Sequence, residues 1–110
     1  MPEASQHGPV GRPLTSDEAD TLATSMRAFG ASSRIQLLWG LLDGERTVEQ
    51  LEEATGLRQS LVSQQLRILR ELGFVAVRRE GRHAHYRLYD HHVPDLLAAI
   101  RHHHEHADGG

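Results

Sequence analysis

The sequence predicts a mainly α-helical domain with one small β-hairpin, and three observations carry that expectation. Apolar side chains recur three and four residues apart in successive segments closed by Gly30, Gly44, Gly56 and Gly73, the pattern of amphipathic helices ended at their C-termini. From residue 74 to 89 the pattern changes to a β-prone run, a glycine-containing turn and an alternating run, which reads as a hairpin. With 110 residues the chain is one domain, long enough for a modest core and small enough that an oligomer interface would help to stabilise it.

Residues 1–14 contain Pro, Gly and Ser without periodicity and are expected to form a flexible arm that includes His7. The folded domain is expected over 15–106, with a disordered tail at 107–110. Ser16 suits the N-cap of a first helix, with Asp17, Glu18 and Asp20 at its positive end, a stripe of Leu22, Met26 and Phe29, and Gly30 as its stop. A second helix starts at Ser32 or Ser33 and runs through Ile35, Leu37, Leu38, Leu41 and Leu42 to Gly44; Trp39 suits core or interface packing there. Thr47-Val48-Glu49-Gln50 is a capping box that opens a short helix ending at Thr55-Gly56. A longer helix from Gln59 to Leu72 follows, with Leu61, Val62, Leu66, Ile68 and Leu69 apolar. Short helix, glycine turn, longer helix is a helix-turn-helix. Gln59, Ser60, Ser63, Gln64 and Arg67 then offer short or forked polar side chains to base edges and phosphates. Phe74 to Val77, a turn at Arg79-Glu80-Gly81-Arg82 and alternation from His83 to Tyr89 make the hairpin. Placed directly after a helix-turn-helix and rich in arginine, it is a wing whose Arg78, Arg79 and Arg82 can reach phosphates or a minor groove. His83 and His85 share a strand face at a spacing that also suits a metal, although wing surface or a phosphate contact fits them better.

Net charge is −3, yet its distribution favours a polyanion partner. From Arg58 to Arg87 seven arginines face two glutamates, a local +5, whereas residues 1–57 carry nine acids against four arginines. Absence of an apolar run near eighteen residues, and of a charged-then-apolar N-terminal segment, argues against a membrane span or secretory signal and for a cytoplasmic protein. No nucleophile motif or phosphate-cradling loop points to an enzyme. Zero cysteines remove thiolate ligands and disfavour thiophilic ions such as cadmium, lead or arsenite.

Asp90-His91-His92, a ten-residue spacer and His103-His104-Glu105-His106 form an oxygen and nitrogen donor set. A purification remnant does not fit a run of three histidines broken by Glu105 and followed by Ala107-Asp108-Gly109-Gly110. On a helix, His92 and His103 differ by about 20° and His106 lies about 40° the other way, so all three share a face. Eleven residues nevertheless put His92 and His103 about 16 Å apart, whereas a metal takes ligands at ~2 Å. Two antiparallel copies close the site, because Asp90 and His92 of one then meet His103 and His106 of the other, twice per dimer. Asp90 suits the N-cap, with Pro94 in the first turn. An alternative register pairs His102 with His106 at i, i+4. His91, His102 and His104 are otherwise solvated surface.

With these residues in order, the chain resembles the ArsR/SmtB family of winged-helix metalloregulators over about residues 16–106. The resemblance rests on Ser33-Arg34, on Gln59-Ser60-Leu61-Val62-Ser63-Gln64-Gln65-Leu66, on Leu69-Arg70-Glu71-Leu72-Gly73-Phe74-Val75 and on Gly81-Arg82. Asp90, His92, His103 and His106 match the Asp-x-His, ten residues, His-x-x-His/Glu pattern of its last-helix zinc, cobalt and nickel sensors. Departures are Gln64, where many members carry histidine, Arg58, where a serine N-cap is common, and Leu61, Val62, Ser63 and Gln65, which stand where others place a cysteine motif.

The resemblance implies a homodimer through the first and last helices, binding a palindromic operator in double-stranded DNA as a repressor whose DNA affinity metal alters, with release as the default and metal-promoted binding as the alternative. Nickel is favoured, with zinc or cobalt as alternatives, and His7, His102 and His104 are extra donors for a larger shell. Two other readings stay open: a winged-helix regulator governed by a partner protein instead of metal, and a metal store that never touches DNA.

Overall fold

The computed structural model describes residues 12–109, with side chains described as far as Glu105. Helix α1 (Ser16–Met26) runs into a 3-10 turn (Arg27–Phe29), followed by α2 (Ser32–Gly40), α3 (Val48–Thr55), α4 (Gln59–Glu71), strands β1 (Val75–Glu80) and β2 (His83–Leu88), and α5 (His92–Gly109). The fold class is the expected one, mainly α with one antiparallel hairpin. Residues 1–11 of the expected arm, His7 among them, lie outside the described residues, as do Gly110 and the His106 side chain.

Three boundaries differ from the sequence reading. Thr15, not Ser16, caps α1: its hydroxyl accepts from the Glu18 N–H at 3.0 Å and the Glu18 carboxylate accepts from the Thr15 N–H at 3.0 Å. Arg12 closes on the same carboxylate at 3.1 and 2.8 Å, so the last residues of the expected arm are held against α1. Helix α2 ends at Gly40, not Gly44. Leu41 and Leu42 donate to carbonyls only three residues back, at 3.1 and 3.2 Å, and this tightened turn keeps Leu41 in the core while ending the helix. Helix α5 extends to Gly109, so the backbone of residues 107–109 is helical beyond the expected boundary at 106.

The core lies between α2, α3, α4 and the root of the hairpin, with Leu37, Leu38, Leu51, Val62, Leu66 and Leu69 fully buried. Gly73 ends α4 in the left-handed region at φ +84°, where a side chain would be strained. Its N–H bonds Arg70 O at 3.0 Å and the Phe74 N–H bonds Leu69 O at 2.9 Å, a Schellman closure that turns the chain into β1. Phe74 then packs edge-on against Phe29 at 5.4 Å between ring centres. The hairpin pairs Glu80 with His83, leaving a two-residue loop whose first position, Gly81, takes φ +62°. Arg46 adds a third rung, exchanging backbone bonds of 2.9 and 2.8 Å with Tyr86 just before α3. Among the described residues no helix is long and apolar enough to cross a membrane.

The two flanking helices are less well covered. No residue of α1 is buried, and Leu22 and Met26 are 49% and 65% exposed. Helix α5 contributes Val93 and Leu97 to the core but leaves Leu96 and Ile100 on the surface.

Candidate functional site

Helix α4 presents one polar stripe. Gln59, Ser60, Ser63, Gln64 and Arg67 are all exposed, and their positions span about 140° of the helix circumference, opposite Val62, Leu66 and Leu69 in the core. A stripe of this width fits a major groove, with amides for base edges and Arg67 for a phosphate. Arg67 lies 3.7 Å from Glu71 at the surface, too loose and too exposed to hold it back. Arg58 stands at the N-cap but makes no side-chain capping bond, so the first N–H groups of α4 keep their positive end open.

The wing arginines are not equivalent. Arg79 and Arg82 are exposed with no hydrogen-bond or ion-pair partner among the described residues. Arg78 is engaged: it donates to Glu45 at 2.8 and 3.3 Å and to Glu80 at 3.2 Å. These bonds raise the Arg78 pKa further, Glu45 contributing most. The same contact holds the Glu45 carboxyl below its ordinary range against a smaller opposing effect of burial. Arg78 thus ties the wing to the loop before α3, a role the sequence reading missed. His83 and His85 lie on the hairpin with rings 6.4 Å apart, and His85 sits 3.7 Å from the Glu80 carboxylate.

A second unforeseen contact sits behind this polar stripe. Gln65 is 9% exposed, and its side-chain oxygen accepts from Arg34 Nη1 at 2.8 Å, while Arg34 Nη2 donates to the Arg27 carbonyl at 2.8 Å. No local pattern marks this pair, which is 31 residues apart in sequence.

At the start of α5, Asp90 Oδ1 accepts the His92 N–H at 2.9 Å and stands 3.6 Å from His92 Nδ1. Burial alone would raise the Asp90 carboxyl, but the His92 backbone hydrogen bond and the nearby His92 ring outweigh it and leave the net value lowered. Both side chains face solvent, His92 at 77%, so a carboxylate oxygen and an imidazole nitrogen are presented side by side. His103 and His104 are exposed near the far end, with rings 5.8 Å apart. Among the described residues no three His, Asp or Glu groups come together in one chain. The helix separates Asp90 and His92 from His103, as its length demands, so each end offers an incomplete set that nitrogen- and oxygen-seeking divalent ions would accept.

A family model described as bacterial regulatory protein, arsR family, matches residues 31–77, from the entry to α2 into β1. The chain is 44% identical over 105 residues to the HTH-type transcriptional regulator NmtR of Mycobacterium tuberculosis, covering 91% of this chain and 88% of that protein. Its fold is similar to the homodimeric winged helix-turn-helix DNA-binding domain of a possible ArsR-family transcriptional regulator from Mycobacterium bovis, with TM-score 0.77, 31% identity and coverage of 92% and 95%. It is also similar to the antimony-specific transcriptional repressor AntR, with TM-score 0.79, 29% identity and coverage of 93% and 94%.

Proposed function

The chain belongs to the arsR family of bacterial regulatory proteins, and on that premise we propose that it is a metal-responsive transcriptional repressor acting in the cytoplasm as a homodimer. It is a DNA-binding regulator, not an enzyme. Gln59, Ser60, Ser63, Gln64 and Arg67 read the operator, and Arg79 and Arg82 hold its backbone; Arg78 joins them when a phosphate replaces Glu45. Two recognition helices must sit about 34 Å apart to enter successive major grooves, so a palindromic operator and a two-fold dimer go together. A homodimeric fold neighbour and the uncovered apolar faces of α1 and α5 support that assembly.

The observation that carries the metal reading is the pair of incomplete donor sets at opposite ends of α5. Asp90 and His92 of one helix, with His103 and His106 of the partner subunit, make a complete four-donor set. His7, His102 and His104 are further donors for a six-coordinate ion. Nickel is the favoured ion because it takes more ligands than zinc and the histidine surplus supplies them; cobalt and zinc compete for the same chemistry. The bound ion supplies a cross-link between the two last helices. Asp90 and His92, held together by the cap, orient one half of it. Linkage then requires that if metal weakens DNA binding, DNA weakens metal binding by the same factor.

The test is DNA binding by the purified dimer to its own upstream region with nickel, cobalt or zinc, alongside direct metal titration. Tight binding lost on replacing both His92 and His103, with release from DNA, is expected. Affinity no tighter than micromolar, or full binding by the double variant, overturns the metal reading and leaves control by a partner protein. No salt-dependent duplex binding overturns the DNA reading.

A further inference from the structure

We propose that α2 is a rigid lever through which the metal-bearing helix α5 positions the recognition helix α4, with Trp39 at its receiving end and Arg34 at its delivering end. The proposal rests on the metal-responsive repressor reading above.

At the receiving end, the Arg101 guanidinium lies 5.8 Å from the centre of the Trp39 ring, within the reach of a cation–π contact. Glu105 holds Arg101 from the next turn of α5 at 3.1 Å. Arg101 stands two residues before His103, so any rotation or slide of α5 that moves His103 moves Arg101 with it. Beside them α2 and α5 face one another across a groove of about 280 Å³ lined by Trp39, Leu42, Pro94, Ala98 and Arg101 among others.

At the delivering end, Arg34 lies five residues earlier on the same helix, about 7.5 Å along its axis. Its planar fork holds Gln65 Oε1 with one nitrogen and the Arg27 carbonyl with the other, each at 2.8 Å. A fork with two fixed acceptors sets orientation in a way that sliding leucines do not. Arg34 Nε is buried without a partner, so this placement costs free energy that a purely structural apolar side chain would not. Gln65 occupies the back of α4, adjacent to Gln64 on the DNA-facing stripe. Moving Gln65 re-aims that stripe. Arg34, Trp39 and Arg101 are positioning residues; none of them meets DNA or metal.

The experiment measures operator-DNA affinity of the intact dimer with and without nickel, nickel affinity by chelator competition, thermal melting, and Trp39 emission without DNA. Coupling in proteins of this kind spans about 5- to 150-fold. In Gln65→Met and Arg101→Met the ratio of DNA affinities is expected to fall below about threefold, with nickel affinity unchanged within about threefold. Gln65→Glu keeps an acceptor for Arg34 and retains the ratio. Nickel changes Trp39 emission in the wild type and not in Arg101→Met. If Gln65→Met does not melt cooperatively, Arg34→Lys carries the test, because one ammonium cannot span both acceptors; a full wild-type ratio in that variant overturns the lever. A responsive wild type with equally responsive variants also overturns the lever and leaves the repressor reading standing. A wild type that binds DNA without any metal effect overturns both.

Discussion

The reading half of the molecule, α2 to β2, and the flanking helices α1 and α5 are built on opposite principles. In the reading half every helix has a buried face, α4 ends in a Schellman closure, and Arg78 and Arg46 pin the wing to the loop before α3. In the flanking half α1 is well capped yet buries nothing, and α5 keeps Leu96 and Ile100 in solvent. Caps satisfy backbone groups, but without an apolar contact they do not hold a helix in place. The difference leaves apolar side chains uncovered on α1 and on one face of α5, while Val93 and Leu97 join α5 to the common core. Asp90, His92 and His103 lie on that same partly covered helix.

The largest effect should come from breaking the packed half. Leu66 is fully buried on α4, and Leu66→Ala should cost about 2–5 kcal/mol in urea or thermal unfolding. A comparable loss from Leu96→Ala, a half-exposed position, would erase the contrast between the halves. Replacing Leu22 and Met26 together by Glu tests the other half. The variant should sediment as a monomer with its helical circular dichroism retained, and lose about 10²- to 10⁴-fold in duplex affinity as the linkage of two half-sites disappears. A dimer that survives the double change would remove α1 from the interface.

Next in size is a contrast inside the wing. Arg79→Ala or Arg82→Ala should each lower the slope of log affinity against log salt by about 0.9, the signature of one lost phosphate contact. Arg78→Ala should lower it less, because that guanidinium must first leave Glu45 and Glu80. Equal slopes for the three variants would mean that the Glu45 contact does not compete with DNA.

What the sequence made legible follows the same division. The Thr47 and Gln50 capping box, the helix closures at Gly56 and Gly73 and the Gly81 hairpin are short-range patterns that the structure contains, whereas the expected closure at Gly44 gives way to an earlier helix end at Gly40. Thr15 and Glu18 form a further short-range capping box, one residue ahead of the expected Ser16 cap. The Arg34–Gln65 and Arg78–Glu45 pairs left no local trace, since partners 31 and 33 residues apart meet only after α2, α3 and α4 have packed. The structure places Asp90 beside His92 at one end of α5 and His103 near the other. That split between the two ends of α5 followed from helix rise alone.

The smallest effect is a pH dependence confined to the root of the wing. Arg78 holds the Glu45 carboxyl below its ordinary 4.5, so a folded value lower than the unfolded one makes the pair stabilising above pH 4.5 and removes that contribution as pH falls through the folded value. Both groups are solvated, which keeps the effect small. Melting of the wild type and of Glu45→Gln, followed from pH 6 to pH 3, should therefore converge at the acid end and differ slightly at the neutral end. A gap that widens on acidification would reverse the sign and assign Glu45 a neutral, protonated role at the wing.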